Sequence, residues 1–245
     1  MSALAHYLEE EGIATVAISL IRPQTENTKP PRALWVPFEL GRPFGPANHP
    51  AFQKRVILAA LQMLEHDGGP VIIRDFPDDD PSAQRDTAWR PPIATAVLRD
   101  RSNVALATQL EAEITQLQGA FDRQLARRGR TTVGLCALPI VDVARYVADW
   151  LRGLSPPSRR EAFSAPLMLR FAVDDLKAFY LEAATDGASH PSSVQLGDWF
   201  WNETAAGAAI LALREACLPD EDERLKLIAG NFMVPAVRVP GAPAR

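Results

Sequence analysis

Hydrophobic positions along the chain change their period several times. Over residues 2–11, Leu4, Tyr7 and Leu8 recur at helical spacing, with Ile13 just beyond and Gly12 as a stop. ATVAISL, residues 14–20, is a mostly apolar run bounded by turn residues, the pattern of a buried parallel strand. Residues 25–31 are polar and end in proline, which predicts a loop. RALWVPFEL, residues 32–40, reads as a second strand. Pro37 breaks its ladder or marks an edge, because proline has no N–H to donate. Helical spacing returns over residues 50–65, where Phe52, Val56, Ile57, Leu61 and Leu64 fall largely on one face. Gly68 and Gly69 end that helix, Pro70 forbids its continuation, and GPVIIRDF predicts a third strand. Helix, strand, strand, helix, strand is the rhythm of an α/β layer, here a small Rossmann-like one with a parallel sheet.

The pattern then breaks. Residues 78–92 carry prolines, acids and few apolar groups, which predicts a linker between an α/β domain (1–77) and a mainly helical domain (93–239). Residues 93–128 contain no proline and one glycine. Val97, Val104, Leu106, Leu110, Ile114, Leu117, Phe121 and Leu125 form a stripe of helical period. TTVGLCAL, residues 131–138, predicts a short strand or a buried turn, and Pro139 can start the next helix. Asp174 and Asp175 suit the positive N-terminal end of a following helix. One long helix is expected over residues 194–216 and a shorter one over 219–229.

Composition adds boundaries rather than chemistry. The 245 residues are 47% hydrophobic and 23% charged, ordinary for a globular chain, with a formal net charge of -4. Nothing in that balance recommends nucleic acid or an anionic membrane as partner. The acidic N-terminus does not read as a signal peptide, and only Cys136 and Cys217 occur. Their wide separation gives neither a zinc pattern nor a disulfide framework, so the expectation is a reduced, cytoplasmic protein without metal or cofactor.

The loop GRPFG is the strongest local candidate for a ligand site. Gly41 and Gly45 let backbone N–H groups approach an anion, Arg42 can pair with a carboxylate, and the loop follows a strand. The run of Asp78, Asp79 and Asp80 lacks the alternation of a calcium loop and reads as a solvated linker. His6, His49, His66 and His190 are dispersed and read as surface or packing residues. Cys136, in apolar GLCAL, reads as a buried small hydrophobe, with a catalytic thiolate as the alternative. In WFWNETAAG, Trp199 and Trp201 lie about 200° apart around a helix. They are expected to anchor a seam with the α/β layer or a second subunit. Glu203, one turn from Trp199, is the candidate acid whose proton affinity an apolar setting would raise.

Over residues 4–76 the chain resembles the C-terminal part of the selenoprotein B family, the substrate-specific subunits of glycine, sarcosine, betaine and D-proline reductases. The resemblance rests on Gly12, Ile13 and Thr15, then Pro31 and Arg32, then Leu40, Gly41 and Pro43, in that order. It implies an α/β fold and a place beside reductive amino-acid chemistry. Arg32 joins Gly41, Arg42 and Gly45 as a ligand-binding residue on this basis. The family's selenocysteine or cysteine motif lies upstream of the matched helix and has no counterpart here. A partner subunit carrying Cys or Sec is therefore implied for turnover, with self-association and a small-molecule ligand as further expectations. The rival reading is a binding or interaction protein that keeps the reductase module without turnover.

Overall fold

The computed structural model of the chain describes residues 2–66, 70–93, 100–187, 189–239 and 241. The expected helix stop at Gly68 and Gly69, Val97 of the long stripe, and most of the C-terminal tail lie outside these residues. The chain divides into two compact units, Met1–Gln84 and Arg85–Arg245.

The first unit runs α1 (Ser2–Glu10), β1 (Ala17–Ser19), α2 (Arg22–Thr28), β2 (Arg32–Trp35), α3 (Pro50–Gln62) and β3 (Ile72–Asp75). The three strands form one parallel sheet in the order β1-β2-β3, with Ala33 opposite Ala17 and Ile73. One sheet face presents Leu34, Val36 and Phe76 to Phe52, Val56, Ala60 and Met63, and these residues form a single buried cluster. Side chains alternate across a strand, so Ser19, Trp35 and Asp75 share the other face. There α2 engages them: Ser19 bonds Thr25, and Arg22 pairs with Asp75 and lies 5.5 Å from the Trp35 ring centroid.

Several expectations need correction in this unit: β2 ends at Trp35, before Pro37, rather than running to residue 40. Residues 22–28 are helical, although 25–31 read as a loop. Pro23 sits in the first turn, where its missing N–H costs nothing, and Lys29 closes the helix in the left-handed region. β1 is a short half-buried edge strand rather than a buried run of seven residues. On α3, Ile57 and Leu61 point outward at 41% and 50% exposure, while Ala60 and Met63 complete the inward face. The apolar residues of that helix outnumber the places its one packed face offers.

The second unit is helical: α4 (Asn103–Arg128), α5 (Ile140–Leu151), α6 (Ala165–Ala183), α7 (Ser193–Glu203), α8 (Ala205–Cys217) and α9 (Glu223–Asn231). On α4, Leu106, Leu110, Ile114, Leu117 and Phe121 are buried, whereas Val104 is exposed near the helix start. Ser102 caps that helix by accepting from Ala105. Asp174 and Asp175 lie inside α6, not at its start. Ser164 caps the helix and Pro166 occupies its first turn, so α6 begins at Ala165, nine residues before Asp174. Buried Asp175 instead accepts backbone N–H bonds from Gly134, Leu135 and Cys136 at 2.8–2.9 Å, which folds residues 131–138 into a turn.

The helix expected over residues 194–216 is two helices. Thr204 adopts an extended conformation and caps α8, its Oγ1 accepting from the Gly207 N–H at 3.0 Å. Trp199 and Trp201 are both buried. Trp199 stands 6.1 Å from the rings of Trp89 and Tyr180, and Trp201 packs edge-on to Phe200. These ring partners all belong to the helical unit's own core. The small residues after the tryptophans serve the same bend. A Cβ on Gly207 would run into the Phe200 carbonyl and lie 2.9 Å from Trp201 Cα. No helix among the described residues is long and apolar enough to cross a membrane.

Candidate functional site

Parallel pairing brings the carboxyl ends of β2 and β3 side by side. The chain leaving β2 leads to the N-terminus of α3, and the chain leaving β3 continues as residues 76–84. These segments meet around a cavity of about 580 Å³ in the first unit. This is the edge at which open parallel sheets place ligands.

Phe52 lines the cavity and is backed by two further rings that do not reach it. Phe38, Phe52 and Phe76 pack mutually with ring centroids 5.5–5.9 Å apart, which pins the first turn of α3 to the strand ends. From α3 come His49 and Arg55. His49 is the N-cap, its Nδ1 accepting from the Phe52 N–H at 3.3 Å. An accepting Nδ1 carries no proton, so the neutral ring bears it on Nε2. Arg55 lies 5.7 Å from the Phe52 ring centroid and reaches Asp78. From the segment after β3 come three carboxylates with different tasks. Asp80 is buried and accepts from the Ser82 N–H and hydroxyl at 2.7 and 2.6 Å, capping a short turn at Pro81–Ala83. Asp79 accepts from the Asp80 N–H at 2.7 Å. Asp78 carries the pairing with Arg55.

Arg55 and Asp78 are paired with each other, so the cavity wall carries one ion pair, the Asp79 carboxylate and the capping Asp80 beside the Phe52 ring. A small molecule that carries both charges can be held here by exchanging with that ion pair, its carboxylate on Arg55 and its ammonium on Asp78.

The residues expected from sequence fall elsewhere. Gly41 and Arg42 are exposed and do not line this cavity. Gly45 is buried with φ +82°, and a Cβ there would overlap the Phe52 ring, so this glycine serves packing of that ring. Arg32 pairs with Glu9 at 2.6 Å. Burial alone would raise the Glu9 carboxyl, but bonds from Thr15 and Arg32 outweigh it and hold Glu9 below its ordinary range. Arg32 therefore ties α1 to β2.

Cys136 is buried, and its thiol is pushed up to about 12 by burial and by the nearby Asp175 carboxylate. Cys217 is also buried and raised to about 11, again mainly by burial. Both environments favour the neutral thiol over the nucleophilic thiolate. Glu203 is half-buried at the end of α7. A buried carboxylate of the helical unit that the sequence reading passed over is Glu113. Its signal was its position, in phase with Leu106, Leu110 and Leu117 on the inward face of α4. Among the described residues, no group of three or more His, Cys, Asp or Glu side chains is arranged to hold a metal ion.

No family model matches the chain, and neither a curated protein nor a solved structure matches it.

Proposed function

We propose that the chain is a substrate-holding subunit or accessory of a reductase-like complex of the glycine, sarcosine, betaine and D-proline type. Its substrate is a small amino-acid-like molecule, and the reactive thiol or selenol comes from a partner chain. The observation that carries this reading is the cavity at the strand ends, where Arg55 pairs with Asp78 beside the Phe52 ring. A zwitterion's carboxylate suits the first group and its ammonium the second. The ordered motifs from Gly12 to Pro43 support the same reading through the reductase resemblance.

A specific observation favours a second reading, a binding module without turnover. Both thiols of this chain are buried and raised well above their ordinary range. One experiment separates the two. The tagged chain is purified from its host with and without glycine, sarcosine, betaine or D-proline, and co-purifying chains are identified by mass spectrometry. A stoichiometric partner with a Cys or Sec redox motif, and substrate reduction by the pair, supports the complex. Thermal stabilisation by a ligand, with no such partner, supports the module.

A further inference from the structure

The helical unit holds a second, smaller cavity of about 270 Å³, between the middle of α4, the end of α6 and the segment carrying Trp89. Its walls combine three features. Trp89 is buried and held rigidly, its indole N–H donating to the Ala184 carbonyl at 3.0 Å and its ring edge-on to Trp199. The floor is made of small residues, Gly119, Ala120, Ala183 and Ala184. The rim carries the guanidinium groups of Arg90 and Arg123.

The rim charge is net positive although the chain is acidic. Among the described residues, Asp186 is the one carboxylate lining the cavity, and Arg123 Nε occupies it at 2.7 Å. Arg127 adds a further cation beside it, bonding the Asp186 and Gly187 carbonyls at 2.8 and 3.1 Å. Arg90 donates through one terminal nitrogen to the Thr87 and Trp89 carbonyls, which fixes its position while leaving its charge uncompensated by those neutral partners. Local positive potential of this kind concentrates anions.

Gly119 supplies an independent observation. It is the single glycine of the 26-residue helix α4. Glycine is among the poorest residues for a helix interior. Packing does not require it here. A Cβ at Gly119 would meet only the tip of Arg123, at 3.5 Å, an ordinary contact. What the missing side chain provides is open space over the floor of the cavity.

We infer that this cavity binds a compact organic anion, a single ring or short apolar body bearing a carboxylate or phosphate. The apolar part lies on the Gly119–Ala184 floor against Trp89, and the anionic group meets Arg123 and Arg90. This site is independent of the strand-end cavity and of the function proposed for it.

The test uses the full chain, with benzoate and phenyl phosphate as probes, inorganic phosphate as the ringless anion and benzamidine as the cation of similar shape. Tryptophan fluorescence and calorimetry follow each titration. The expected result is saturable binding of benzoate or phenyl phosphate, with benzamidine and inorganic phosphate at least tenfold weaker. Gly119→Leu fills the floor with a strong helix former, so the fold is kept, as circular dichroism checks, and binding is lost. Arg123→Ala also unmasks Asp186 and weakens binding at least tenfold. Equal binding of benzamidine, preference for inorganic phosphate, unchanged binding in Gly119→Leu, or no binding of either ring-bearing anion overturns the proposal.

Discussion

Both carboxylate oxygens of Glu113 lie 2.9 Å from the backbone nitrogen of Ala205, at the point where α7 gives way to α8. One of them also accepts the Tyr180 hydroxyl at 2.8 Å. A carboxylate from α4 thus caps a helix formed more than ninety residues later, beside the bend that Thr204 itself caps. Removing that carboxylate strands a buried N–H and a buried hydroxyl. Glu113→Ala should lower stability by about 2–3 kcal/mol, the cost of unsatisfied buried polar groups, read as a shift in urea midpoint. A change under about 0.5 kcal/mol would show that the bend holds itself.

The same residue sets a pH dependence. Burial is the largest influence on Glu113 and raises its carboxyl above the ordinary value of 4.5, with the bonds from Ala205 and Tyr180 opposing it. A carboxyl raised on folding binds its proton more tightly in the native state. Its contribution is therefore fully present below pH 4.5 and is lost as pH rises through the raised native value. Glutamine keeps the acceptor without the charge. Stability of the native chain relative to Glu113→Gln should fall across that window, by at most about 1.4 kcal/mol per pH unit. A constant difference from pH 4 to pH 8 would contradict this.

Glycines at two positions should respond to alanine with opposite signs. Gly119 has room for a methyl group, so Gly119→Ala should stabilise by about 0.5–1 kcal/mol, the ordinary gain in a helix interior. At Gly207 the methyl group would meet the backbone of Phe200 and Trp201, which cannot move aside as a side-chain tip can. Gly207→Ala should cost about 1–3 kcal/mol despite the better helix former. Melting temperatures of the two variants check the pair, and equal signs would refute the packing account of the α7–α8 bend.

The two thiols give a chemical test of burial. With values near 12 and 11, Cys136 and Cys217 are almost wholly protonated at pH 7.5. Iodoacetamide, followed by mass spectrometry, should label neither in the native chain within minutes and both in urea. Rapid native labelling of Cys136 would restore it as a candidate nucleophile.

Much of this architecture was legible in the sequence, and the losses have physical causes. The three strands and the α3 and α4 helices announced themselves through local period. The break at Thr204 is only partly local: its own hydroxyl caps through Gly207, whereas the adjacent Ala205 N–H is met by Glu113, which is remote in sequence. Asp175 looked like a helix start for the same reason: its partners are the N–H groups of residues 134–136, and no local rule reveals them. Arg55 and Asp78 were each unremarkable as members of a helix and an acidic run. Parallel pairing of β2 with β3 makes them neighbours, whereas the glycine-rich loop that attracted attention owes Gly45 to the Phe52 ring.

The central claim concerns the strand-end cavity, and calorimetric titration of the full chain tests it most directly. Glycine, sarcosine, betaine and D-proline are each titrated into the native chain and into Arg55→Ala. The Arg55–Asp78 pair is largely exposed, and such pairs contribute little to stability, so the variant should fold as the native chain does. The account predicts saturable binding of at least one of the four, weakened at least tenfold, about 1.4 kcal/mol, by Arg55→Ala. Absence of binding for all four, or equal affinity in the variant, would contradict it.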